Sequence, residues 1–277
     1  MKNKNLYLAL TSILIFIILI YHTTFIWLYE RYISADSYYS HGFLIPFITG
    51  GLLWFKRKRL IKIKREYNFW GLALIILALF IHFLSILVEV FFVSGFSILL
   101  LVFGISLFLF GKKITQKIIF PLFFLIFMFP IPLAAINAIS FPMKMFVTKS
   151  SVFVLKTFLN IPIKNEGFQI FFPNASLIVE NPCSGLRSLI SLLALGSIFA
   201  YLLKANIKKR IILFLLSIPI ALVSNLIRVI LLSMGVYIYG SNITEGFFHD
   251  FTGYLVFVIA FVTFWLFWRE FQCKSSA

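Results

Sequence analysis

Three polar side chains in an otherwise apolar chain have the types needed for acyl transfer. Cys183 occurs in Asn181-Pro182-Cys183-Ser184-Gly185-Leu186-Arg187-Ser188, where a loop gives way to an apolar run. A thiol at a helix N-terminus feels the positive end of the backbone dipole, and a nearby cation lowers its pKa further from ~8.5, favouring the nucleophilic thiolate. Arg187 stands four residues on, on the same helical face. Arg228 follows Asn225 by three positions, so the two share one face of a later apolar helix. The pairing argues for an inward-facing site, because an Asn gains nothing from lipid. His249, in Gly246-Phe247-Phe248-His249-Asp250, opens the last apolar run. Singly, each has an ordinary explanation: a lone Cys is usually a small buried hydrophobe, and an Arg near a helix end snorkels to head groups. Together they are the parts of a cysteine acyl-transfer site: a nucleophile, a general acid/base and a cation for the developing oxyanion.

Other polar residues take supporting parts. His41, in Ser40-His41-Gly42, is an alternative base, while Glu180, Ser184, Arg187 and Asn225 are supporting or substrate-binding candidates. Glu89 stands near a helix end. His22 and His82 fall inside apolar runs and are expected to make local hydrogen bonds. Four dispersed histidines give no metal-ligand spacing and no Gly-rich phosphate loop occurs, so neither a metal nor a cofactor is expected. Cys273 falls in the C-terminal tail, across the membrane from Cys183, so no disulfide joins the two.

The elements that must position these groups are membrane helices. The 277 residues are 61% hydrophobic and 12% charged, against about 45 to 50% and about 25% in soluble domains, which excludes a water-soluble globule. A transmembrane barrel would show short alternating segments instead. Apolar runs at 6–28, 42–55, 69–90, 94–111, 118–136, 184–203, 211–237 and 251–268 predict an all-α polytopic protein of about eight transmembrane helices, one integral domain over 1–277. The first run exceeds a signal-peptide core and lacks a small-residue cleavage site, so it reads as a retained helix.

The net charge of +16 is a topology signal. With both termini inside, 18 of the 25 Lys and Arg fall on the cytoplasmic side, notably the seven of Lys56 to Arg65. Lipid head groups account for the remaining attraction, and nucleic acid has no place as a partner. Residues 137–183 then form an extracytoplasmic insertion between the fifth and sixth spans: a surface amphipathic helix at 141–158, then two extended pieces around Pro173-Asn174-Ala175. Cys183, Arg228 and His249, from three consecutive spans, all arrive at the outer leaflet.

Pro182-Cys183-Ser184-Gly185-Leu186-Arg187-Ser188, Asn225-Leu226-Ile227-Arg228 and His249 at the head of the last span resemble the exosortase/archaeosortase family of membrane cysteine transpeptidases. Tyr39-Ser40-His41-Gly42-Phe43 and Met128-Phe129-Pro130-Ile131-Pro132 resemble its early motifs. The resemblance implies a prokaryotic cytoplasmic-membrane enzyme with its site facing outward. It implies that Cys183 attacks a peptide bond beside the C-terminal anchor of an exported protein, with His249 as acid/base and Arg228 at the oxyanion. An envelope acceptor or water would resolve the thioester. Implied substrates carry a short motif, a hydrophobic helix and a basic tail. The rivals are an anion or small-molecule transporter, which predicts mid-depth polar residues and broken helices in two corresponding halves, and a non-catalytic partner in envelope assembly.

Overall fold

The computed structural model describes residues 3–34, 37–179, 185–240 and 247–273, with the side chains of 3–7, 9, 10 and 247–250 outside that description. It is an all-α membrane architecture with one small sheet, and it divides into two compact units, Met1–Ile131 and Pro132–Ala277.

In the first unit, α1 (Asn3–Ile20) and α2 (His22–Ile33) meet at Tyr21 with a bend of 74°. A bend within an apolar run leaves carbonyls without helical donors, and buried polar groups answer it here. The His82 Nε2–H donates to Ile20 O at 3.1 Å, and its Nδ1 accepts from Ser94 Oγ at 2.7 Å. Thr24 Oγ1 lies 2.6 Å from Ser94 Oγ, Tyr21 bonds Ser97 at 2.9 Å, and the Tyr21 and His82 rings stack at 3.9 Å. The expectation of local hydrogen bonding is met for His22, whose Nδ1 donates to Leu19 O at 3.0 Å, whereas the partners of His82 are remote in sequence.

A 3-10 turn at Ser40–Phe43 leads into α3 (Leu44–Leu60). Then α4 (Trp70–Leu87) and α5 (Phe91–Phe124) pack closely, Gly71 lying against the Gly104 and Phe108 backbone. Within α5, Gly111 has φ +78 and ψ 176, and a Cβ there would stand 2.3 Å from Glu66 O. Ser106 Oγ and Thr115 Oγ1, nine residues apart, are 3.0 Å from each other. Along a continuous helix they would be separated by ~13 Å. The chain therefore reverses at Gly111, and α5 is a helical hairpin whose first limb matches the run at 94–111, whereas the run at 118–136 is broken after Phe124 by the 3-10 turn Leu125–Met128 and the extended segment before Leu133.

By length and composition, five helices among the described residues can cross a membrane, or six with the bent α1–α2 pair counted as one span. The α5 stretch is one of these, so its reversal adds a further limb. The expected spans at 42–55 and 184–203 correspond to α3 and α7 (Leu186–Leu202), each of 17 residues.

The second unit opens with α6 (Leu133–Thr157). It begins eight residues before the expected surface helix at 141–158, because Pro132 ends the extended segment after the 3-10 turn Leu125–Met128 and starts the helix. At 25 residues it is also long and apolar enough to cross. Three short antiparallel strands follow in order β1 (Lys164–Glu166), β2 (Gln169–Phe171), β3 (Ser176–Ile178). The β2–β3 hairpin closes through Phe172 N to Ala175 O at 2.8 Å, as the Pro173-Asn174-Ala175 turn requires; β1 was not anticipated. Alternation puts Ile170, Leu177 and Val179 into a core with Val147, Val152 and Leu155 of α6 and with Val229, Leu232 and Val236. Those last three belong to α9 (Ser217–Tyr239), which follows α8 (Ile207–Leu215) and precedes α10 (Phe247–Cys273).

Candidate active site

Helix α9 is the axis of the candidate site. Asn225, Val229, Leu232 and Val236 recur at i, i+4, i+7 and i+11 and so form one stripe, with Arg228 on its flank. The upper part of the stripe carries the sheet. Asn225, 1% exposed, meets α7 instead.

That contact is made by Gly185, the N-cap of α7, in a left-handed conformation at φ +82. A Cβ on Gly185 would stand 2.7 Å from Cγ and 2.8 Å from Nδ2 of Asn225. Only glycine satisfies both the dihedral and the approach. Two residues upstream of Gly185 in the sequence is Cys183, which with Glu180 and Ser184 lies outside the described residues. Of the described residues on either side, Val179, 2% exposed, is in the core beneath the sheet, and Gly185 rests on Asn225. Both of these flanking residues pack on α9.

Arg228, half-buried, extends from α9 towards α10. The nearest atoms to a Cβ built on Gly253 are its Nη2 at 3.5 Å and Cζ at 3.7 Å. Gly253 lies one turn beyond His249, so both occupy one face of α10. His249 is the third residue of that helix, and its side chain is outside the described residues. Further along, Gly196 of α7 approaches Ser217 of α9 and Phe264 of α10. The Gly185–Asn225 and Gly196–Ser217 contacts make α9 antiparallel to α7, and the Arg228–Gly253 contact with the one at Phe264 makes α10 run parallel to α7. The N-termini of α7 and α10 thus lie at the same end of this three-helix group, beside Asn225 and Arg228. Arg187, half-buried, is in the first turn of α7.

Two helix N-termini, the Arg228 guanidinium and the first turn of α7, which carries Arg187, therefore lie at one level. Two glycines at these contacts went unnoticed in the sequence: Gly185, which the approach of Asn225 requires, and Gly253, which faces Arg228. Gly185 stood inside the cysteine motif, and its position just before the apolar run was the available signal.

His41 belongs to the first unit. It lies in the 3-10 turn beside Tyr39, ring centroids 5.9 Å apart, and burial lowers its pKa from 6.5 to about 4. The two early motifs meet there: Ile131 N–H donates to Tyr39 Oη at 3.3 Å, and Tyr32 Oη donates to Met128 O at 2.6 Å while its ring covers Gly42. Glu89 forms the exposed α4–α5 turn with φ 55.

A family model described as transmembrane exosortase matches residues 30–266. No curated protein and no solved structure matches the chain.

Proposed function

The chain belongs to the transmembrane exosortase family, membrane-embedded sorting transpeptidases of exported proteins, and we propose that it works through a Cys183 thioester at the outer face of a prokaryotic cytoplasmic membrane. The reading is carried by one observation. Gly185 and Gly253, sequence neighbours of Cys183 and His249, pack on Asn225 and Arg228 of a single helix.

In the proposed reaction the Cys183 thiolate attacks the carbonyl of a peptide bond beside the substrate's C-terminal anchor. Arg228 donates hydrogen bonds to the oxyanion of the tetrahedral intermediate. Collapse expels the amine of the anchor fragment, which takes a proton from His249, and leaves an acyl thioester on Cys183. The neutral His249 then removes a proton from the incoming amine, hydroxyl or water as it attacks the thioester, and the Cys183 thiolate is released. Asn225 holds the turn at Gly185, Arg187 contributes positive potential at the thiol, and Glu180, Ser184 and His41 are supporting groups. Substrates are exported proteins with a C-terminal motif, a hydrophobic helix and a basic tail. The chain between α6 and α7, with the sheet, forms the extracytoplasmic part that meets the recognition motif.

The test is co-expression of an anchored substrate with wild type, Cys183→Ala and Cys183→Ser. Both variants are expected to insert normally and to leave the substrate uncleaved, while mass spectrometry detects an acyl adduct on Cys183 of the active protein. Full processing by Cys183→Ala would discard the mechanism.

A further inference from the structure

The first unit contains a groove unrelated to the proposed chemistry. One cavity of about 250 Å³ is lined by apolar residues alone, from α1 (Ile13, Ile17), α4 (Ile75) and α5 (Leu101, Ile105) among others. A second, of about 370 Å³, is lined by His22, Thr23, His82 and Phe83 with apolar neighbours. Ile20 and Leu79 are walls of both, so the two cavities adjoin along α1 and α4, and the groove is the pair of them. Its total size is in the ~300 to 1,000 Å³ range of small-molecule sites.

The groove is apolar along α1 and polar at one end, where the α1–α2 bend occurs. Both nitrogens of His82 are engaged, with Ile20 O and Ser94 Oγ. His22 uses its Nδ1–H on Leu19 O, which leaves its Nε2 lone pair as an acceptor beside the Thr23 hydroxyl. Outside the groove, Leu14, Ile18, Leu19 and Leu87 are exposed on helices of membrane-spanning composition. A cavity in such a surface opens on hydrocarbon, not water.

We propose that this groove holds the hydrocarbon chain of a membrane lipid whose head group donates a hydrogen bond to His22 at the α1–α2 bend. The apolar length takes the chain; the imidazole acceptor and the threonine hydroxyl take the head. An ammonium or hydroxyl head group satisfies that chemistry, and a trimethylated one does not.

The test uses the full-length protein in phosphatidylcholine vesicles doped with diazirine-acyl phosphatidylethanolamine, or with the same diazirine chain on phosphatidylcholine. After photolysis, labelled peptides are mapped by mass spectrometry. Saturable labelling of residues 13–23 and 75–86 by the ethanolamine probe is expected, at least severalfold denser than on the exposed α10 residues Phe257 and Leu266. Leu79→Trp should lower it severalfold. Ile17→Trp fills the groove from the opposite wall and serves if the first variant does not fold. His22→Phe should remove the preference for ethanolamine over choline. Labelling that rises linearly with probe, equals that on α10, or is unaffected by the tryptophan variants overturns the site. Equal labelling by the two probes in wild type overturns the head-group assignment.

Discussion

Gly185 and Asn225 lie so close that no side chain fits between them: a Cβ on the glycine would stand 2.7 Å from the asparagine Cγ, at a backbone φ of +82. The contact fixes where α7 begins on α9.

Gly185→Ala is therefore expected to suffer twice, from a left-handed backbone at about 1 to 2 kcal/mol and from the clash. Thermal unfolding should show a lower midpoint than wild type. In an Asn225→Ala background the further loss should shrink, since two of the clashing atoms are gone. Equal losses in both backgrounds would show the sites to be independent.

Gly253 offers graded access to Arg228. An alanine methyl there would stand 3.5 Å from the guanidinium, an ordinary contact, so Gly253→Ala should retain substrate cleavage. Gly253→Leu should displace the guanidinium and depress the cleavage rate about as strongly as Arg228→Ala does. Membrane insertion, followed by protease protection, should be normal in both.

Arg228→Lys keeps the charge and loses the planar fork. On the proposed mechanism the rate should fall by about 10²-fold or more, the usual loss on removing one oxyanion donor. Single-turnover cleavage of an anchored substrate measures it. A variant with wild-type rate would remove Arg228 from the oxyanion site.

His41 carries a stability effect with a defined sign. Its folded pKa, about 4, lies below the ordinary 6.5, so the unfolded chain binds the proton more tightly. The stability tied to the neutral ring is complete above about pH 6.5 and is lost as pH falls towards 4. Unfolding midpoints between those values should drop further for wild type than for His41→Gln.

The sheet separates folding from recognition. Ile170 is wholly buried among α6 and α9 residues, and Ile170→Ala should cost about 2 to 5 kcal/mol. Ile178 is 51% exposed, and Ile178→Ser should leave the unfolding midpoint nearly unchanged. A rise in KM for the substrate without a fall in kcat, in that variant, is the expected mark of motif reading. Deleting residues 165–179 outright cannot make this distinction, because it strips Ile170, Leu177 and Val179 from the core.

Membrane character, the helices carrying Arg187, Asn225, Arg228 and His249, and the hairpin around Pro173 were legible because apolar length and turn residues are local signals. Boundaries were less so. Phe91–Phe124 became a hairpin through one glycine whose carbonyl neighbour, Glu66, is remote in sequence. Helix α6 began at Leu133 because Pro132 marks a start as well as a stop. Asn225 and Arg228 announce, by residue type alone, a polar face on an apolar helix. The glycines opposite them were not, because a glycine acquires meaning only from what approaches it. Nor could spacing reveal that the Tyr39 and Ile131 motifs, far apart in the chain, meet through a hydrogen bond.

Helix α9 runs eleven residues past Arg228 to Tyr239, ~16 Å of additional rod, and the sheet is mounted on that extension. The sheet and the arginine are thus carried by one helix. On the proposed function, a peptide that pressed on the strands and tilted this helix would also swing the arginine, so that docking and activation would be mechanically geared.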